Sequence, residues 1–61
     1  MNRFRHIKDE LPRVGEDILA ISEDGDEHYV FLCKCGNEWR CSVTGFCLMI
    51  DVEKWKYIKE N

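Results

Sequence analysis

Sixty-one residues, 44% apolar and 34% charged with a formal net charge of −3, suit a single small folded domain spanning residues 1–61. The balance excludes intrinsic disorder, and it has neither the basic excess of a nucleic-acid binder nor the acidic excess of a nucleic-acid mimic. A core of this size supplies only about 3–5 kcal/mol of net stability, so a metal, a disulfide, a partner or self-association is expected to supplement it.

Residues 7–15 read as an ordered loop or single turn. Asp9 is placed to cap it, Pro12 fixes a backbone angle and Gly15 tolerates a positive φ. Ile7, Leu11 and Val14 are spaced to point inward together. A first strand is predicted over residues 17–22, carried by Ile18-Leu19-Ala20-Ile21. It ends in Glu23-Asp24-Gly25-Asp26-Glu27, where Asp-Gly between apolar runs signals a tight hairpin.

The returning strand covers residues 28–35, with Tyr29, Phe31, Cys33 and Cys35 on one face and Val30 and Leu32 on the other. Gly36-Asn37 suggests a second two-residue turn, which would set Cys33 opposite Arg40 and Cys41 opposite Leu32. A third strand follows over residues 38–43, and Thr44-Gly45 turns the chain again. Residues 46–51 and 52–58 form two short strands or one bent one, the latter with Trp55 and Tyr57 on one face. No segment keeps a helical period over three turns. The expected fold is mainly β: a small antiparallel sheet of three to five strands with the N-terminal segment packed across it.

Met1 to His6 has a basic start, but Lys8-Asp9-Glu10 follows where a secretion signal would be apolar. No apolar run is longer than that from Phe46 to Ile50, which is far too short to span a bilayer. A cytoplasmic protein with no membrane contact and mainly reduced cysteines is the expectation.

Several of these positions resemble a short domain of unknown function, number five-five-one, found in bacterial, phage and prophage proteins. Phe4 stands where that family opens on Trp, and Ile7 at its next aliphatic position. Leu11-Pro12 and Gly15 match its Leu-Pro and Gly, Ile18-Leu19 its first strand, Trp39 its central Trp, and Val52, Trp55 and Ile58 its closing motif. The likeness covers residues 4–58. It departs at the closing Pro, where Tyr57 or the residues beyond Ile58 differ, and in the four cysteines. The resemblance implies a small β-rich fold and a mobile-element setting (the host cytoplasm, if phage-encoded), and it brings no catalytic residue.

Three chemical constellations compete with that plain reading. Cys33, Cys35, Cys41 and Cys47 are enough for tetrahedral zinc, and a zinc-stabilised adaptor is one alternative. However, Cys33 and Cys35 sit about 7 Å apart along one strand rather than in a Cys-x-x-Cys turn, so ordinary buried thiols are the first reading. Arg3, Arg5, Lys8 and Arg13 around Phe4 would suit a nucleic-acid-binding accessory protein, although Asp9, Glu10, Glu16 and Asp17 dilute their field. His6 or His28 beside a cysteine could form a nucleophile and base, but neither comes with an orienting third group, and no enzyme is expected.

The chain has more aromatics than one face of a small sheet can hide. Tyr29, Phe31 and Tyr57 are therefore the candidate contacts for a protein partner or a homodimer, with Asp24 and Asp26 at the hairpin tip as charged contacts. The functional expectation is a small non-enzymatic binding protein of phage or prophage type. It would act by occupying, and thereby inhibiting, a host protein such as a defence component.

Overall fold

The computed structural model describes residues 3–34 and 38–59. Among them are six strands and no helix: β1 (Arg5–His6), β2 (Ile18–Ser22), β3 (Glu27–Leu32), β4 (Trp39–Cys41), β5 (Cys47–Leu48) and β6 (Val52–Tyr57). They form one antiparallel sheet in the order β1-β6-β2-β3-β4-β5. The mainly β expectation holds, with one strand more than foreseen. The extra strand is β1, part of the N-terminal segment, which joins the sheet edge before the chain crosses the core.

The topology forces the sheet to curl. β2 to β5 run as a meander, and β6 then returns beside β2, four strand spacings from β5. On a flat sheet that distance is about 19 Å. Only Met49, Ile50 and Asp51 connect β5 to β6, and the four Cα steps from Leu48 to Val52 reach at most about 14 Å. The sheet must therefore roll until β5 approaches the start of β6. The Glu23 N–H donates to the Asp51 carbonyl at 2.9 Å, which carries the β2–β6 pairing past Ser22 and Val52 to the end of that link.

Rolling creates an inside. Ile18, Ala20, Val30, Val52, Trp55 and Tyr57 form the buried cluster, with Ile7, Trp39, Leu48 and Ile50 packed against it. A register shift between Ile21 and Ser22 makes Val52 part of this cluster. Lys54, Trp55, Lys56 and Tyr57 pair with β2 in one register, and Ser22 then pairs with Val52. Glu53 is the extra residue, so Val52 turns inward although simple alternation would put it on the face of Lys54 and Lys56.

The N-terminal segment covers the open side of the cluster. The Trp55 indole N–H donates to the Glu10 carbonyl at 3.0 Å, and the Arg13 N–H donates to the Tyr57 hydroxyl at 3.1 Å. The Gly15 N–H donates to the Leu32 carbonyl, with Gly15 at φ +82°. Ile7 packs inward as expected, but Leu11 and Val14 are exposed and Pro12 is buried instead. The segment is anchored by backbone hydrogen bonds to the aromatics, so its own aliphatic spacing does not decide what points in.

The β2–β3 connection corrects the two-residue turn expected at Asp24-Gly25. Ser22 and Asp26 close it, through Ser22 N–H to the Asp26 carbonyl at 2.9 Å and Gly25 N–H to the Ser22 carbonyl at 2.9 Å. The loop therefore holds Glu23, Asp24 and Gly25, and only Gly25 (φ +93°) has a positive φ. This is the three-residue hairpin in which the last position must be left-handed. Gly25→Val is expected to destabilise the fold by about 1–2 kcal/mol, read as a lower urea midpoint, because a β-branched residue resists that φ even with open space around it. An unchanged midpoint would mean that the turn tolerates another conformation.

The β3–β4 register also differs from expectation. Val30 pairs with Cys41, Phe31 with Arg40 and Leu32 with Trp39, and the Cys33 N–H donates to the Glu38 carbonyl. The connection is thus longer than a two-residue turn, and Cys41 lies opposite Val30 rather than Leu32. Cys35 and the Gly36-Asn37 turn lie outside the described residues. Among the described residues no helix is long and apolar enough to cross a membrane.

Candidate functional site

The strand alternation that buries Ile18, Ala20 and Val30 puts Leu19, Ile21, Tyr29 and Phe31 on the outer face of the sheet. Cross-strand pairing orders that face into rows. Lys56, Leu19 and Tyr29 lie side by side across β6, β2 and β3. His6, Lys54, Ile21 and Glu27 form the next row, and Phe31, Arg40 and Cys47 a third. Leu19, Ile21 and Phe31 are half-buried, while Tyr29 is 55% exposed.

Charge divides this surface. On the β6 side the Lys56 and Lys54 ammonium groups stand 4.8 and 5.4 Å from the centre of the Phe4 ring, an arrangement that holds both lysines and the ring at one edge. Across Ile21 from Lys54, Glu27 leads along β3 to the exposed hairpin tip at the end of β2 and β3, with Glu23, Asp24 and Asp26. The apolar residues thus have the two lysines along β6, the acidic tip at one end, and Arg40 beside Phe31 on β4. Phe4 is 39% exposed, so it belongs to this surface rather than to the core.

Of the residues singled out in the sequence, Tyr29 and Phe31 share the outer face, and Asp24 and Asp26 occupy the adjoining tip. Tyr57 does not belong with them. It is buried at 7% exposure, edge-on to Trp55 with ring centres 4.9 Å apart, and Arg13 lies 4.4 Å over its ring. Its strand places it on the inner face, and the N-terminal segment seals it. The sequence reading missed Leu19, Ile21, Lys54, Lys56 and Phe4. Their placement follows from the β6–β2 pairing, which links residues far apart in the chain.

The basic N-terminal residues do not form one patch. The Arg5 guanidinium lies 5.3 and 5.1 Å from the Trp55 and Tyr57 ring centres and 3.9 Å from Glu10, while Arg13 is 3.8 Å from Glu16. Both side chains help cover the inner aromatics. Of the two histidines, His6 accepts the Lys8 N–H through Nδ1 at 3.3 Å. His28 lines a cleft of about 250 Å³ with Ser22, Glu23, Asp24, Asp26 and Met49.

The cysteines separate. Cys41 pairs with Val30 and so lies on the inner face, whereas Cys47 pairs with Arg40 and lies on the outer one. Cys33 is buried beyond the end of β3. Among the described residues no group of three or more His, Cys, Asp or Glu side chains is placed to hold a metal ion.

Cys41 has a distinct setting at the β4–β5 turn. The Thr44 backbone N–H, the Thr44 hydroxyl and the Val43 backbone N–H all favour its thiolate, and together they outweigh desolvation and hold the thiol below its usual range. A depressed folded value means that this group stabilises the fold above the ordinary thiol range and loses that contribution as pH falls through the lowered value. Iodoacetamide should accordingly alkylate Cys41 with a pH midpoint below that of the unfolded chain, and Thr44→Val should raise it. Equal midpoints in folded and unfolded protein would refute the assignment.

No family model matches the chain, and neither a curated protein nor a solved structure matches it, so the resemblance over residues 4–58 rests on the residues themselves.

Proposed function

We propose that this is a small non-enzymatic binding protein that grips another protein with the outer face of its sheet. The observation supporting this is the row structure of that face: Leu19, Ile21, Tyr29 and Phe31, with Lys54 and Lys56 along β6 and the acidic hairpin at one end. An apolar centre with a charged rim is the usual anatomy of a protein interface. The aromatic side chains supply area at low entropic cost, and the charged regions set the partner's orientation.

The resemblance adds a setting to this reading. The partner would be a host protein, for instance a defence component, and the product of a phage or prophage would block it by occupying its surface. The test is capture from bacterial lysate with the wild-type chain and with a Tyr29→Ala, Lys54→Glu, Lys56→Glu variant, followed by titration with the purified partner. One protein held by the wild type, lost by the variant and rebound when pure is the expected result. Equal retention by both chains, or no stoichiometric partner, would overturn the proposal.

A further inference from the structure

Arg5, Arg13 and Arg40 each lie within ion-pair distance of a carboxylate, at 3.9 Å from Glu10, 3.8 Å from Glu16 and 3.4 Å from Glu38. Lys54 and Lys56 differ: among the described residues neither has a carboxylate partner. Their ammonium groups stand 5.4 and 4.8 Å from the centre of the Phe4 ring instead. The two like charges sit two residues apart on one strand, about 7 Å at the backbone, beside a single ring. The fold holds this pair without neutralising it.

Both lysines adjoin apolar side chains of the outer face. Leu19 and then Tyr29 follow Lys56 across the sheet, and Ile21 and then Glu27 follow Lys54. Strands lie about 5 Å apart, so Leu19 and Ile21 are one spacing from the lysines, and Tyr29 and Glu27 two. Glu27 ends its row with the opposite sign, so a carboxylate is drawn to β6 and repelled from β3. Charges are screened over about 8 Å at physiological salt, so the lysine pair rather than the net charge of −3 sets the local field.

We infer that the protein segment gripped by this face is amphipathic and acidic along one side. Its apolar side chains cover Leu19, Ile21 and Tyr29, and its carboxylates lie against Lys54 and Lys56. This rests on the outer face being the binding surface, and it adds the chemistry of what binds there. Charge complementarity selects that chemistry. A neutral apolar segment would strip water from two unpaired ammonium groups, and a basic one would meet them with like charge. A nucleic acid would carry negative charge along its whole length, Glu27 and the acidic tip included. Arg40, beside Phe31 on the same face, is already engaged by Glu38 and the Gly45 carbonyl.

The experiment is fluorescence anisotropy of labelled probes titrated with the reduced full-length chain. The probes are a peptide with a leucine stripe flanked by glutamates, the same peptide with Gln for Glu, and a single-stranded oligothymidylate of matching charge. The Glu peptide is expected to bind, and more weakly as salt is raised. Lys54→Gln with Lys56→Gln should weaken it about tenfold, as the loss of two surface ion pairs would. Tyr29→Ala should weaken it about tenfold or more. Lys34→Gln with Lys59→Gln, beyond the ends of β3 and β6, makes the same change in net charge and should bind within about twofold of wild type. Equal binding of the Glu and Gln peptides, lost in Tyr29→Ala, would overturn the acidic preference and leave the face a protein-binding surface. Tighter binding of the oligothymidylate would overturn the inference together with the protein partner. So would Glu-peptide binding that survives every outer-face change, and no binding up to about 1 mM would overturn the inference alone.

Discussion

Trp55→Ala is expected to abolish cooperative unfolding of this protein. The side chain is fully buried, the largest in the core, and stacked edge-on with Tyr57 at 77° between ring planes. Removing a buried Trp side chain costs about 3–5 kcal/mol, and a 61-residue core has about that much in total. A second loss compounds the first, because the Glu10 carbonyl gives up the indole N–H that ties the N-terminal segment across the core. Urea titration followed by circular dichroism should show a sloping baseline in place of a transition.

Trp55→Phe separates the two effects. It keeps most of the packing but removes the N–H donor, so a loss of about 1–3 kcal/mol is expected, with a transition still visible. A cooperative transition in Trp55→Ala at the wild-type midpoint would show that the stability of the fold does not depend on this residue.

Changing the outer face should do the reverse: affinity falls and stability stays. Tyr29→Ala combined with Lys54→Glu and Lys56→Glu is expected to weaken partner binding by about a hundredfold or more, since truncating one central aromatic commonly costs about 2 kcal/mol or more. Charge reversal on the flank should slow association, and its effect should shrink as salt is raised. The urea midpoint should change by less than the equivalent of about 1 kcal/mol, because exposed substitutions rarely do more. Full affinity in the triple variant would move the binding surface elsewhere.

The strands were legible because their apolar runs are short and bounded by turn residues. Ile18-Leu19-Ala20-Ile21 followed by Asp24-Gly25 marks β2 and its hairpin, and the six residues Val52 to Tyr57 form one strand. Loop lengths were less legible. Asp24-Gly25 signals a hairpin whether two or three residues form the loop, and the choice depends on the Ser22–Asp26 hydrogen bonds. The candidate surface was half legible. Tyr29 and Phe31 follow from alternation within β3, whereas Tyr57 was misassigned because its strand pairs with β2 and is covered by the N-terminal segment.

By itself the sequence determined the antiparallel β class, the position of the main hairpin, the shared face of Trp55 and Tyr57 on the last strand and the acidic character of the hairpin tip. These depend on local periodicity, turn chemistry and composition, which act over a few residues. Only the tertiary structure decided that β6 returns beside β2, that Glu53 bulges so that Val52 turns inward, and that Lys54 and Lys56 flank Leu19, Ile21 and Tyr29. Those outcomes depend on pairing between residues thirty or more positions apart. The short link from β5 to β6 then turns that pairing into a curled sheet with an inside to fill and an outer face exposed to solvent.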